Sequence, residues 1–252
     1  MDKAIQKPLL YLDYLGFSEK ILSQSTSQSI DYYKNILNDL EIFRNTTEFK
    51  VNFDIVSDSA FVWIDGADMY EETKELFRIA STLSHNSLFM ERPIRGAIVF
   101  DDFIIGDKVF NLHGKKISTH LILGRAIIGG YRWEQAQDWF GISINPFYLK
   151  IFEEKLSGLL KELKGQNKII YYNIPTKHGE IKSYAINCFS MSHVIGLYKH
   201  GKDKKDSLVV PTYASMIKQL KDKAKDFSVL NKLTHTENFL EHVISNALYP
   251  VE

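Results

Sequence analysis

The sequence predicts an α+β fold: a sheet with flanking helices, followed by a C-terminal helical extension. Three observations carry that expectation. The longest apolar runs have four to six residues, such as Ala60–Ile64, which is strand length. Longer stretches between them place apolar residues at three- and four-residue spacing. After about Met191 the character changes and two helical patterns close the chain.

The elements follow in order. Leu9-Leu10-Tyr11-Leu12 reads as a buried central strand ending at Asp13. Phe17 to Arg44 has helical spacing, divided into two helices by the Ser/Gln-rich piece Ser23–Ser29. Val51, Phe53 and Ile55 alternate as a half-buried strand, Ser57-Asp58-Ser59 is a polar turn, and Ala60–Ile64 returns, which together make a hairpin. Asp68–Ser84 is a helix with an acidic first turn that suits the macrodipole. Ile94–Ile105 is a strand interrupted by Asp101-Asp102, Gly124–Asp138 is helical, and Gly141–Ile144 is a strand. Phe147–Leu163 is an amphipathic helix stopped by Gly165, and Lys168–Asn173 and Lys182–Cys188 form a late strand pair. A charged loop, Lys199–Asp206, leads to helices at Tyr213–Lys225 and Glu237–Asn246. The organisation is a core of residues 1–190 with an extension, 191–252, packed on the same domain.

Composition narrows the function classes. The 252 residues are 44% hydrophobic and 25% charged, ordinary for a globular protein. Lys+Arg and Asp+Glu both number 31, so no global nucleic-acid footprint exists, although a nucleotide needs only a few local charges. The single cysteine, Cys188, excludes an intrachain disulfide and points to a reducing, cytoplasmic setting. No run approaches the roughly 18 apolar residues of a membrane span, and no signal-peptide core follows the N-terminal charges. No Walker-type loop, GxGxxG, Gly-x-Ser-x-Gly or HExxH is present.

Two carboxylates stand out by their backbone contexts. Asp13 ends a buried strand, and Asp58 sits at a hairpin tip 45 positions later. Strand ends and hairpin tips of one sheet can meet. Two carboxylates and a backbone carbonyl, here Tyr14, suit a hard cation such as Mg²⁺, whose remaining ligands are waters and substrate phosphates. Backbone N–H groups of Leu15, Gly16 and Phe17, at a helix start, can cradle phosphate oxygens. The competing reading makes Asp13 a helix cap and Asp58 a turn residue.

The ordered set Leu12-Asp13-Tyr14-Leu15-Gly16-Phe17-Ser18, Phe53-Asp54-Ile55-Val56-Ser57-Asp58, Arg95-Gly96-Ala97-Ile98 and Gly124-Arg125-Ala126 through Arg132-Trp133-Glu134 resembles the class III nucleotidyl cyclases over about residues 9–145. The stand-alone length is also similar to the pyrimidine cyclases of bacterial antiphage defence, the Pycsar group. The resemblance implies a palm-like (ferredoxin-like), mostly antiparallel sheet with flanking helices. It implies a nucleoside triphosphate substrate, two Mg²⁺ or Mn²⁺ ions on Asp13 and Asp58, and catalytic Arg132. It further implies a head-to-tail homodimer in which one chain supplies the two aspartates and its mate Arg132. Without that frame, Arg132 is a surface arginine on an amphipathic helix.

Departures from the pattern shape the specificity reading. Ile128 stands where the family has an asparagine, and Gly129-Gly130 within a helix asks for a close backbone approach. Arg95 can take over anion binding. Asp54 stands where purine cyclases carry a base-reading Lys or Glu, and the second reading position falls near Leu121. An acceptor at 54 suits the N–H groups of guanine, cytosine or uracil and mismatches adenine N1. The loss of one purine reader at Leu121 and the change of the other at Asp54 make CTP or UTP the expected substrate; a solvent-facing Asp54 on an edge strand is the competing reading. The alternatives are a guanylate or adenylate cyclase, or an inactive nucleotide-sensing module. The aromatic segment Tyr131–Phe140 is the expected anchor of the dimer seam.

Overall fold

A computed structural model describes residues 5–189 and 209–248. Its centre is β1 (Ile5–Tyr14), whose Leu9, Leu10 and Leu12 are fully buried because the strand is paired on both edges and covered on both faces. After α1 (Phe17–Ser23) and α2 (Thr26–Thr46) come the hairpin strands β2 (Lys50–Val56) and β3 (Ser59–Asp65), then α3 (Met69–Phe89). β4 (Ile94–Leu112) and β5 (Lys115–Gly124) form a long second hairpin, followed by α4 (Arg125–Ala136) and β6 (Ile142–Ile144). A single 3-10 turn at Pro146–Tyr148 leads to α5 (Leu149–Gly165), then β7 (Ile169–Thr176) and β8 (Gly179–Ile186). Helices α6 (Val209–Lys223) and α7 (Phe227–Leu248) complete the described chain. The sheet order is β2-β3-β1-β4-β6-β8-β7, with β5 pairing β4, and among the described residues β4–β6 is the one parallel pair. The α+β expectation, with a mostly antiparallel sheet and flanking helices, is borne out.

Local chemistry sets the boundaries. Ser25 and Gln28 form a reciprocal capping box, so the Ser/Gln-rich piece does divide α1 from α2. Asp68 caps α3 by accepting from the Tyr70 amide at 2.8 Å. Asp101 and Asp102 do not interrupt β4, because Arg125 meets them at 2.9 and 2.6 Å. The left-handed residue after α5 is Asn167 (φ 54°), not Gly165. The last helix begins at Phe227 rather than Glu237, where the Asp226 carboxylate accepts from the Ser228 amide at 2.7 Å. The hairpin arm beyond Ile105 was not read from the sequence; its turn, His113-Gly114, has φ of 51° and 77°, the twist a two-residue hairpin needs. The expected charged loop at Lys199–Asp206 lies outside the described residues.

Strand alternation puts Tyr11 and Asp13 on one face, and register places Phe61 and Ser59 of β3 and Ala97 and Arg95 of β4 beside them. Helix α4 covers this face at backbone distance. A Cβ on Gly130 would lie 2.7 Å from Tyr11 Cβ, and one on Gly129 2.6 Å from Tyr148 Oη. The paired glycines are therefore what lets α4 lie against β1. On the opposite face Phe100 meets Phe152 of α5, which also packs on Phe77 of α3.

The C-terminal helices are built into this core. Tyr213 of α6 is fully buried against Phe189 and Phe89, and Phe239 of α7 packs on Trp139 and Tyr172. This overturns part of the expected dimer seam: Trp133, Trp139 and Phe140 are core residues, and only Tyr131 of the four aromatics is exposed. Among the described residues no helix is long and apolar enough to cross a membrane.

Gly130→Ala is expected to lower stability by about 1–3 kcal/mol despite the better helix propensity of alanine, because the clash is with a β-carbon fixed on β1. A thermal melt at or above wild type would show that α4 does not need this approach.

Candidate active site

The end of β1 and the β2–β3 turn meet at one corner of the sheet. The Tyr14 amide donates to the Asp58 carbonyl at 2.9 Å, and Asp13 stands opposite Ser59 in the β1–β3 register. Asp13 and Asp58 are thereby neighbours, as a strand end and a hairpin tip can be. Burial pushes the Asp13 carboxyl above the usual carboxylate range; Arg95 opposes that rise and the Asp58 charge adds to it. The Tyr11 hydroxyl shares a 2.7 Å hydrogen bond with Ser59 Oγ, and burial pushes its pKa up to about 12.

Behind Asp13 lies a buried charge cluster. Arg95 Nη2 is 3.5 Å from Asp13 Oδ2 and also pairs with Glu134 of α4, while Nη1 donates to the Gln137 carbonyl at 3.2 Å. The Arg95 side chain is 7% exposed and that of Glu134 0%. Arg95 faces Asp13, and its charge is shared between two carboxylates inside the protein rather than held open for an anion. Burial pushes the Glu134 carboxyl up to about 7, against the pull of Arg95. Sequence reading did not single out Glu134. A signal was available in hindsight: Arg132 and Glu134 lie 200° apart on a helix, so one of them must face inward.

Arg132 is the residue that faces out. It is exposed on α4 with Ile128 (51% exposed) and Tyr131 (53%), while Ala126, Gly130, Trp133 and Glu134 form the buried side. The structure therefore does not bring Arg132 to the Asp13–Asp58 corner of its own chain.

The expected phosphate cradle is narrower than read. The Leu15 amide is committed to the Pro93 carbonyl at 3.1 Å, so it is not available as the sequence suggested. Gly16 adopts a left-handed conformation (φ 70°) before α1, and Phe17 is buried against Tyr32. The Tyr14 side chain is buried, which leaves only its backbone carbonyl for the ligand role expected of it.

Farther along the same face, Asp54 of β2 meets His120 of β5, whose other ring nitrogen lies 2.8 Å from Asp107. The hydrogen bonds to Asp107 and Asp54 hold the imidazole pKa above its ordinary value. Asp54 is half-buried rather than solvent-facing, and its cross-face partner is His120, not the adjacent Leu121. His120 could not be found from sequence while the β4–β5 arm went unread.

Among the described residues no group of three or more His, Cys, Asp or Glu side chains could by itself hold a metal. The two-carboxylate corner still fits a hard divalent cation: Asp58 repels the Asp13 charge, and a cation between them relieves that repulsion.

No family model matches the chain, and no curated protein matches it. Solved structures similar to it include the adenylyl cyclase CyaB from P. aeruginosa, at 16% identity and TM-score 0.47, covering 73% of this chain and 96% of that one. The guanylate cyclase domain of RhGC from Catenaria anguillulae, in complex with GTP, matches at 12% identity and TM-score 0.47, covering 73% and 98%. The guanylyl cyclase domain of the RhoGC fusion protein from Blastocladiella emersonii matches at 13% and 0.48, again covering 73% and 98%. These likenesses are distant and concern chain path; the chemistry of this chain rests on its own residues.

The raised carboxyls give a pH dependence with a definite sign. Folded Glu134 keeps its proton where the unfolded chain releases it, so its share of stability is present below about pH 4.5 and lost as pH rises through about 7. In metal-free buffer the melting temperature is expected to fall between pH 5 and pH 8, and Glu134→Gln to reduce that fall. An identical pH slope in the variant would remove Glu134 as its source.

Proposed function

We propose that this chain is a metal-dependent nucleotidyl cyclase that converts a nucleoside triphosphate to a 3′,5′-cyclic nucleotide and pyrophosphate. The convergence of Asp13 and Asp58, brought together by the Tyr14–Asp58 backbone bond, is the observation that supports it. In the reaction the 3′-oxygen bonds to the α-phosphorus, the bond from that phosphorus to the oxygen bridging to the β-phosphate breaks with pyrophosphate leaving, and the 3′-hydroxyl proton passes to solvent water. Mg²⁺ or Mn²⁺ on Asp13, Asp58 and the Tyr14 carbonyl, completed by substrate phosphates and water, would lower the pKa of the attacking hydroxyl and neutralise charge on the leaving oxygens. The protein itself orients Asp13 through Arg95 and fixes Asp58 through the β2–β3 turn.

The narrower reading is a pyrimidine cyclase acting in antiphage defence, in the cytoplasm. Asp54 supports it, since a carboxylate held by His120 keeps one oxygen as an acceptor for the amino or imino hydrogen of cytosine or uracil. Guanine satisfies the same acceptor, whereas adenine N1 does not. A second reading, a nucleotide-sensing module without turnover, is favoured by Ile128, which offers no hydrogen bond where the family's asparagine would stand.

The purified protein with each of the four ribonucleoside triphosphates and Mn²⁺ or Mg²⁺ is expected to yield a 3′,5′-cyclic product, most from CTP or UTP. Asp58→Ala should cut the rate by about 100-fold or more. The same change should move stability by only about 0.5 kcal/mol, because a hairpin-tip side chain carries little packing. No cyclic product from any of the four would overturn the enzyme reading; a thermal shift with nucleotide but no product would establish the sensing one.

The site is completed between two copies in this proposal. Arg132 lies on the outer side of α4 with exposed Ile128 and Tyr131, so a two-fold mate is what would carry it to an Asp13–Asp58 corner. Equal mixtures of inactive Asp58→Ala and Arg132→Ala chains are expected to recover about a quarter of wild-type activity, since half the dimers regain one complete site. Absence of recovery, with subunit exchange demonstrated, would refute the shared site.

A further inference from the structure

The β4–β5 arm changes character at Asp107 and His120, which stand directly opposite each other in the ribbon. On the root side of that pair Ile105 and Ile122 pack against the core. On the tip side every residue of β5 from Lys115 to His120 is exposed, so the strand is uncovered on both faces. A two-stranded ribbon standing alone in water is marginal. Gly106, one position before Asp107, bends β4 with φ 128°, a conformation that side chains rarely adopt. A Cβ there would touch nothing, so the glycine serves the bend and not a close approach. Beyond that bend the placement of the arm depends on what ties it to the body.

His120 is such a tie. Its Nε2 meets Asp54 Oδ2 on the edge strand β2, and its Nδ1 lies 2.8 Å from Asp107 Oδ1. Among the described residues β2 and β5 are not paired in the sheet, so this contact joins two strands that backbone bonds do not. Both partners are carboxylates, which only accept when ionised. A neutral imidazole has one N–H and one lone pair, so it serves one carboxylate and turns a lone pair on the other. The imidazolium, with two N–H donors, satisfies both. The charges facing the ring are Asp54 from β2 and Asp107 from β4, with the Tyr33 hydroxyl of α2 near Asp54. Burial, then the Asp54 charge, raises the Tyr33 pKa, so that group stays neutral. On the ring's own strand the same-face neighbours Ser118 and Ile122 carry no charge, and Lys108 lies on the ribbon's other face. The hydrogen bonds to Asp107 and Asp54 hold the imidazole pKa above its ordinary value. The tie is therefore complete below about pH 6.5 and is lost as pH rises through the higher folded value.

We propose that His120 is a proton-held latch: as the imidazolium it clamps the β4–β5 arm to β2 through Asp107 and Asp54. When that proton passes to solvent, the ring can hold only one of the two carboxylates, and the arm loosens. Any consequence for base reading by Asp54 rests on the cyclase reading. The latch does not, and each readout below uses the unliganded full chain. Nitrogen NMR of the ring is expected to show His120 titrating above about pH 6.5. Amide hydrogen exchange, as protection factors corrected for intrinsic rate and taken relative to β1, reads the arm itself. In wild type the protection of Ile117 to Ile122 is expected to fall about three- to fivefold from pH 6 to pH 9. His120→Gln, which cannot be charged, should stay at the high-pH level throughout. His120→Arg, which keeps a forked cation, should stay at the low-pH level throughout. If His120→Gln fails to fold, Asp107→Asn tests the same point at a side chain 83% exposed. Its amide can accept from the charged ring or donate to the neutral one, so it should flatten the pH dependence and lower the His120 midpoint. A merely structural histidine would give an arm whose protection does not change with pH in the wild type. That result, a midpoint at or below about 6.5, or a pH dependence that persists in His120→Gln overturns the assignment.

Discussion

A single guanidinium organises this molecule. Arg95 sits between Asp13 on β1 and Glu134 on α4 and donates to the Gln137 carbonyl in the following loop. One buried cation thereby joins the central strand, the helix over it and the loop that leads to β6. Two carboxylates and a guanidinium taken out of water are costly together and costlier apart: removing one partner of a buried pair typically costs about 3–5 kcal/mol, because the other charge is left uncompensated. The cluster fixes geometry more than it adds stability. Its product is a defined position for Asp13 at the strand end.

The α4 helix shows how one element can serve two directions. Its inner side carries Gly130, so that the helix backbone rests on Tyr11, and Glu134, which reaches Arg95. Residues two positions apart on a helix are separated by 200°, so Arg132 points away when Glu134 points in. Ile128 and Tyr131 share that outward side, three and four residues apart in the way helix neighbours are.

Much of the frame was legible where periodicity speaks. The alternation of Val51, Phe53 and Ile55 gave the first hairpin, and Ser23–Ser29 the break between α1 and α2, because burial on one face leaves a period in the sequence. The β4–β5 arm leaves none: Val109, Phe110 and Ile117 are exposed, so no inside and outside alternate. Asp13 and Asp58 could be paired from their places at a strand end and a turn. The Arg95–Glu134 contact could not, since the meeting of a β4 side chain with an α4 side chain depends on how the helix lies across the sheet. Trp133, Trp139 and Phe140 read as interface anchors for a related reason. An aromatic residue that will be covered by its own chain a hundred positions later looks in sequence like one that a partner will cover.

That delayed cover has a consequence for the order of assembly. Trp139 and its cap Phe239 are 100 positions apart, and the Asp138 loop, whose amide donates to the Pro175 carbonyl at 2.9 Å, is further fastened by residues 231–236. At synthesis rates of about 5–20 residues per second, the indole lacks its Phe239 cap for about 5–20 s. Throughout that interval the sheet can form, with the loop behind Arg95 bonded to the end of β7 while its α7 side stays uncovered. The nascent chain therefore carries an apolar opening that a chaperone can hold and that α7 completes last, and the loop behind the site gains its final fastening late in its own synthesis.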